Sequence, residues 1–344
     1  MDYAKTLADM FDLKEEYIAN IIMLLEEGNT IPFIARYRKE MHGTMDDQTI
    51  RKLADKLAYL KNLDERREEV KRLITEGGNM TDEILKSLET AATVTEIDDI
   101  YRPFRPKRKT RASAAKEKGL EPLADEILRG QTEKTSPETL AEKYVNTENG
   151  VEDISQAISG ASDIIAERIS DNADVRRRIR NIVWLNGSLT STGDEEKDSV
   201  YTMYYNFTQP LTKVAGHRVL AVNRGEKEGF LKAGISVDAE KPMNVIKSLY
   251  VKGNNGCTEI VAAAGEDAYT RLIFPSIERE LRSSLTQAAD ESAIRLFGEN
   301  LRQLLLQPPI KEKIAIGLDP GYRTGCKLAV VDATGKVLDT AVIY

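Results

Sequence analysis

Residues 313–344, KIAIGLDPGYRTGCKLAVVDATGKVLDTAVIY, decide how the chain divides. KIAIGL is a short apolar run, and CKLAVVD and KVLDTAVIY flank ATG, a hairpin turn. The period here is that of strands, and the first three strands of a mixed sheet would read this way. After Asp319, Gly321 and Gly325 let the backbone turn closely, with Arg323 and Thr324 inside the turn. A three-stranded sheet with no helix on its face leaves apolar area uncovered. The expectation is therefore an incomplete domain at the end of a piece of a longer protein.

Upstream the period is helical. DYAKTLADMFDLKEEYIANIIMLLEEG gives two amphipathic helices stopped at Gly28, and Pro32 suits the first turn of a third. A long helix starts near Asp46 and carries Leu53, Leu57, Leu60, Leu63, Val70 and Ile74 on one stripe up to Gly77-Gly78. DERREEVKR, between those apolar positions, reads as a solvated face with pairs one turn apart. Two short helices fill 81–100, two more lie within 117–145, and a long stretch over 151–186 bends near Asp171-Asn172. NGSLTSTGDEE reads as a polar connection. Further helices near 211–223, 240–252 and 257–273 surround a strand near 229–237. Ser276 is expected to cap a long helix that runs to about 306 and buries Leu281, Leu285, Phe297, Leu301, Leu304 and Leu305. Pro308-Pro309 ends it.

The composition removes whole classes of function. The 344 residues exceed one small core and suggest two or more domains. Two distant cysteines, Cys257 and Cys326, make no disulfide framework, and two distant histidines, His42 and His217, make no histidine-zinc motif. No signal peptide or membrane-length apolar run is present, so a cytoplasmic location is expected. A net charge of −7 confines any contact with nucleic acid to local patches. With aromatics at 6%, an extensive stacking surface is not expected.

The densest patch is YRPFRPKRKTRA, where Arg102, Arg105, Lys107, Arg108, Lys109 and Arg111 are held off a regular helix by Pro103 and Pro106. Two uses stay open. The cations can meet a phosphate backbone, or the arginines can tie the loop to acids such as Asp98 and Asp99. In RRRIR, Arg177 and Arg180 share a helix face, read as solvated and paired with Asp171 and Asp174. FIARYRKE interleaves Phe33 and Tyr37 with Arg36, Arg38 and Lys39, and helix packing is the preferred account of it. HRVLAVNRGEKEG reads as the end of a helix rather than a catalytic group. Asp319 could give one carboxylate to a two-metal site, but Asp332 and Asp339 show no convergence with it. No catalytic residue, cofactor or metal site is assigned.

Taken together, TIPFIARYRKE (30–40), YRPFRPKRKTRA (101–112) with KEKGLEPLA (116–124), HRVLAVNRGEKEG (217–229), RLIFPSIERELR (271–282), AIRLFGENLRQLLLQPP (293–309) and GLDPGYRTGCKLAVVD (317–332) resemble the bacterial Tex family of transcription accessory proteins. The resemblance covers essentially the whole chain. It implies a mainly α fold: multi-helical N-terminal and central regions with helix-turn-helix-like elements, then the first strands of a YqgF-like domain of ribonuclease H type. The corresponding divisions are 1–190, 191–310 and 311–344. It further implies a non-enzymatic transcription accessory factor that binds RNA or DNA, weakly where the family's S1 domain is missing, and that could also meet transcription or translation machinery. A resolvase-like nuclease using Asp319 and a protein-docking scaffold are the alternatives.

Overall fold

The computed structural model describes residues 2–106, 109–133, 135–308, 312–321 and 323–344. It is mainly helical, with two three-stranded sheets. Two compact units emerge: Met1–Thr190 with Thr208–Thr212 and Gly234–Leu281, and Ser191–Phe207 with Lys213–Ala233 and Arg282–Tyr344.

In the first unit, α1 (Tyr3–Phe11), α2 (Glu15–Glu26) and α3 (Ile31–Tyr37) pack on the first half of α5 (Asp47–Glu76), with α4 (Lys39–His42) against α2 and α3. Their core holds Leu7, Ile18, Ile21, Ile34, Ile50, Leu53 and Leu57. The second half of α5 builds a separate core with α6 (Asp82–Thr90) and α7 (Val94–Tyr101), using Leu63, Val70, Ile74, Leu88, Ile97 and Tyr101. One uninterrupted stripe therefore serves two cores in succession. Asp46 caps α5 by accepting from the Thr49 N–H at 2.6 Å, and Gly78, at φ +69°, follows its end. DERREEVKR is less solvated than its charge implies. Arg67 donates to the carbonyls of Leu88 and Ala91 at 2.9 and 3.0 Å, satisfying the open end of α6.

Next come α8 (Arg111–Glu117), α9 (Glu121–Gly130), α10 (Pro137–Ala141), α11 (Ile154–Asp171) and α12 (Ala173–Asn186). The middle of α11 is buried, with Ala157, Ala161, Ile164, Ile165 and Ile169 inaccessible. The bend expected near Asp171-Asn172 is a full break: Asn172 Oδ1 accepts from the N–H groups of Asp174 and Val175 and starts α12.

The polar stretch NGSLTSTGDEE is not a connection. It contains β1 (Ser188–Gly193), which lies between β2 (Asn206–Pro210) and, after α13 (Gly216–Lys227), β3 (Leu231–Ser236). Leu189 and Ser191 are its inward residues, too few apolar positions for the period to register. After α14 (Glu240–Tyr250), α15 (Gly256–Asp267) continues through a π turn (Ala268–Ile273) into α16 (Phe274–Leu305) without stopping. Ser276 is thus inside a helix and not its cap. Pro275 has no N–H for the usual helical bond, and the wider π turn before it absorbs that loss.

The second unit has an aromatic core of Tyr201, Tyr204, Tyr205, Phe207 and Phe230 around Val222 and Leu231. Gly193 has no side chain because a Cβ there would stand 2.2 Å from the Tyr205 ring. The expected burial along α16 stops at Ala289: from 290 to 308 every residue is exposed, Phe297, Leu301, Leu304 and Leu305 among them. The apolar period marks which face could be buried, and among the described residues nothing packs on it. The last strands, β4 (Ala315–Asp319), β5 (Cys326–Val331) and β6 (Val337–Ile343), form a three-stranded sheet in that order, with the expected hairpin between β5 and β6 and both pairings antiparallel.

Candidate nucleic-acid interface

The basic segment is built outward from α7. After Tyr101 the chain makes one 3-10 turn, Arg102–Phe104, with Pro103 in it, and Arg105 is extended and exposed. Lys107 and Arg108 lie outside the described residues. Lys109, exposed, is 3.6 Å from Glu117. Thr110 forms a reciprocal cap with Ser113, and its hydroxyl donates to Glu167 at 3.0 Å, fixing the start of α8. Arg111 follows, exposed in the first turn.

Arg102 differs from the rest. Its Nε is buried and stands 3.9 Å from Asp99 Oδ1. Burial lowers its basicity, and the like charge of Arg176 lowers it further. Asp99 is the centre of this cluster. It accepts from Arg176 Nε at 2.7 Å on Oδ1 and from Arg180 Nη2 at 2.6 Å on Oδ2. Arg180 also grips both oxygens of Glu280, at 2.6 and 3.1 Å, and Arg176 Nη2 donates to Ser276 Oγ at 2.9 Å. Burial works against the charge of Arg180, and Glu280 and Asp99 outweigh it, so its pKa is raised. Three guanidinium groups thus gather around Asp99, and Arg176 is only 1% exposed.

Sequence reasoning missed this network. RRRIR is a solvated face only in part: Arg177 and Arg178 pair with Asp174 on the surface, while Arg176 and Arg180 point inward. The available signal was a run with cations three and four apart that also contains the inward Ile179. Asp98, the other acid considered for the loop, belongs instead to Arg66 of α5, at 2.6 Å.

The remaining candidates separate from this site. His217 is in α13, whose Arg224 and Glu228 pair one turn apart at 2.8 Å. Glu226 of the same helix binds Arg282, which holds its carboxyl below the ordinary range. Asp319 ends β4 opposite Lys327. Asp332 closes the last hairpin by accepting from the Thr334 hydroxyl at 2.7 Å and from the N–H groups of Thr334 and Lys336 at 2.8 and 3.0 Å; the hydroxyl bond first, and the N–H bonds with it, lower its pKa. Among the described residues no group of three or more His, Cys, Asp or Glu side chains could hold a metal ion, and no helix is long and apolar enough to cross a membrane.

Three family models match in chain order. Residues 1–75 match the Tex-like protein N-terminal domain, 132–297 the Tex central region-like model, and 313–344 the Tex protein YqgF-like domain. This is a helical, multi-module class of protein, with a YqgF-like sheet over 313–344. The chain belongs to the Tex family. It is 46% identical to the uncharacterized protein YdcI of Bacillus subtilis over 98% of its own length and 48% of that relative's. It is 35% identical to the transcriptional accessory protein Tex of Neisseria gonorrhoeae, covering 100% of this chain and 46% of the relative. With the human S1 RNA-binding domain-containing protein 1 it shares 29% identity over 100% of this chain and 36% of the relative. The chain therefore spans about half the length, or less, of these relatives.

Proposed function

We propose that the chain is a cytoplasmic, non-enzymatic nucleic-acid-binding part of a transcription accessory factor, and that the segment 102–111 touches the phosphate backbone. The observation that carries this reading is the division of labour within the segment. Arg102 is drawn into the Asp99 cluster, which pins one end, and the Thr110 cap pins the other. Between and beside these anchors Arg105, Lys109 and Arg111 are exposed. Anchoring at the ends lowers the ordering cost of binding, and each phosphate contact releases a counterion. The names of the relatives, a transcriptional accessory protein and an S1 RNA-binding domain-containing protein, support the same direction.

The test is the salt dependence of binding to single-stranded and duplex RNA and DNA. Each lost contact flattens the log–log slope by about 0.7 on single strands and about 0.9 on B-DNA. Arg105→Ala, Lys109→Ala and Arg111→Ala together should flatten it by roughly 2 to 3 units. A slope equal to that of the parent chain refutes the assignment.

A further inference from the structure

The stretch 30–42 carries a second surface that the segment 102–111 does not explain. Helix α3 buries Ile34 completely, and this accounts for its inward face. Its other face is aromatic and basic. Tyr37, the last residue of α3, is 63% exposed, and its ring lies 5.4 Å from that of Phe33, one turn earlier. The Arg38 guanidinium covers Phe33 at 5.2 Å and also donates to the Tyr37 carbonyl at 3.2 Å. Arg36 and Lys39 are exposed on either side of Tyr37, and neither forms an ion pair among the described residues. At Arg38 the backbone leaves the helix, φ −131° and ψ 35°, before α4 begins. A second cation–ring pair, Lys14 over Tyr17 at 5.6 Å, packs against Gly43 just beyond α4.

An exposed aromatic by itself needs no explanation. Here the ring is braced from behind by Phe33, and the stretch holds three cations to one acid, Glu40, in a chain of net charge −7. Apolar packing explains neither the exposed ring nor its flanking cations. A flat π face between cations matches an unpaired base between its phosphates. A duplex hides its base faces by stacking and cannot use the ring.

We infer that Tyr37, supported by Phe33, is a stacking platform for one base of a single-stranded nucleic acid, with Arg36 and Lys39 on the adjoining phosphates. Every base has a π face, so the platform reads strandedness and not sequence. RNA and DNA share this chemistry, and the assay separates them.

The experiment is fluorescence anisotropy of the whole 344-residue chain with 12-nucleotide oligo(U), oligo(dT) and a duplex of equal length, at low salt. Tyr37→Ala should weaken binding to both single strands by about 5- to 150-fold. Tyr37→Phe should stay within about twofold, and the duplex affinity should not move. Arg36→Ala with Lys39→Ala should flatten the single-strand salt slope by about 1.4 units. Repeated in the Arg105→Ala, Lys109→Ala, Arg111→Ala chain, the Tyr37 effect should persist, so failure at one surface is distinguishable from failure at the other. Photo-crosslinking of 4-thiouridine oligomers should label the peptide containing Tyr37, which holds even if a variant folds poorly. The inference is overturned if the parent chain binds no single strand. It is equally overturned if Tyr37→Ala binds as well as the parent, or if poly-glutamate of equal charge competes as well as oligo(U).

Discussion

Replacing Asp99 by Asn should destabilise the first unit far more than a single exposed charge change does. Asp99 is 3% exposed and holds Arg176 and Arg180 at 2.7 and 2.6 Å, with Arg102 at 3.9 Å. Asparagine keeps the shape, but its amide is neutral and turns a donor toward one of the guanidinium groups. Arg180 keeps Glu280, while Arg176 loses its carboxylate partner. Breaking a buried pair from one side costs about 3–5 kcal/mol, because the partner is left charged and out of water. A unit charge pair at 4 Å in an effective dielectric of 20 is worth about 4 kcal/mol, the same range. For a body of this size each kcal/mol moves Tm by about 2–4 °C, so the expected fall is about 6–20 °C. Scanning calorimetry measures it, and the fall should persist in 0.5 M salt because buried charges are poorly screened. Arg177→Ala, on the same helix but surface-paired with Asp174, is the control and should move Tm by about 2 °C or less. Adding Arg176→Met to Asp99→Asn removes a stranded cation and should recover part of the loss. If Asp99→Asn shifts Tm no more than Arg177→Ala does, the cluster is solvated and the argument for an anchored basic segment falls with it.

Two further outcomes follow from backbone strain and from titration. Gly43→Ala must place a Cβ at φ +63° and 2.5 Å from the Tyr17 ring, whereas Gly28→Ala, at φ +83°, meets nothing within 4 Å. Urea melts should show a loss of about 1–2 kcal/mol at Gly28, from strain alone, and about 1–3 kcal/mol more at Gly43, from the added clash. In the second unit, the Arg282 bond lowers the folded pKa of Glu226, so this group stabilises the fold above its unfolded pKa, about 4.3. That contribution is lost as pH falls through the lower, folded value. Glu226→Gln should therefore lose less Tm than the parent between pH 6 and pH 3, and an equal loss in both counts against the pairing.

Much of the fold could be read from the sequence because the rules involved are local. Asp46 and the glycines after α2 and α5 act within one helical turn, and the α5 stripe repeats often enough to be unmistakable. The strands β4 to β6 were legible for the same reason: apolar runs separated by an Asp332–Gly335 turn. Local rules failed where the pattern was thin or interrupted. β1 has only two inward residues, and Pro275 looked like a helix start although the π turn carries the helix through it.

The candidate site was only half visible. The sequence showed that cations crowd 102–111 and 176–180, and it showed aromatics among cations at 33–39. It could not assign an inside and an outside to them. Asp99 finds Arg176 at a separation of 77 residues, and Arg180 finds Glu280 at a separation of 100. Desolvation of a charge depends on those distant partners, so identical arginines on one helix become a buried strut and a solvated pair. The same limit governs the apolar residues. Their period named the stripe on α16, but burial requires a surface to bury against, and only the tertiary structure shows that the stripe is covered as far as Ala289 and exposed beyond it.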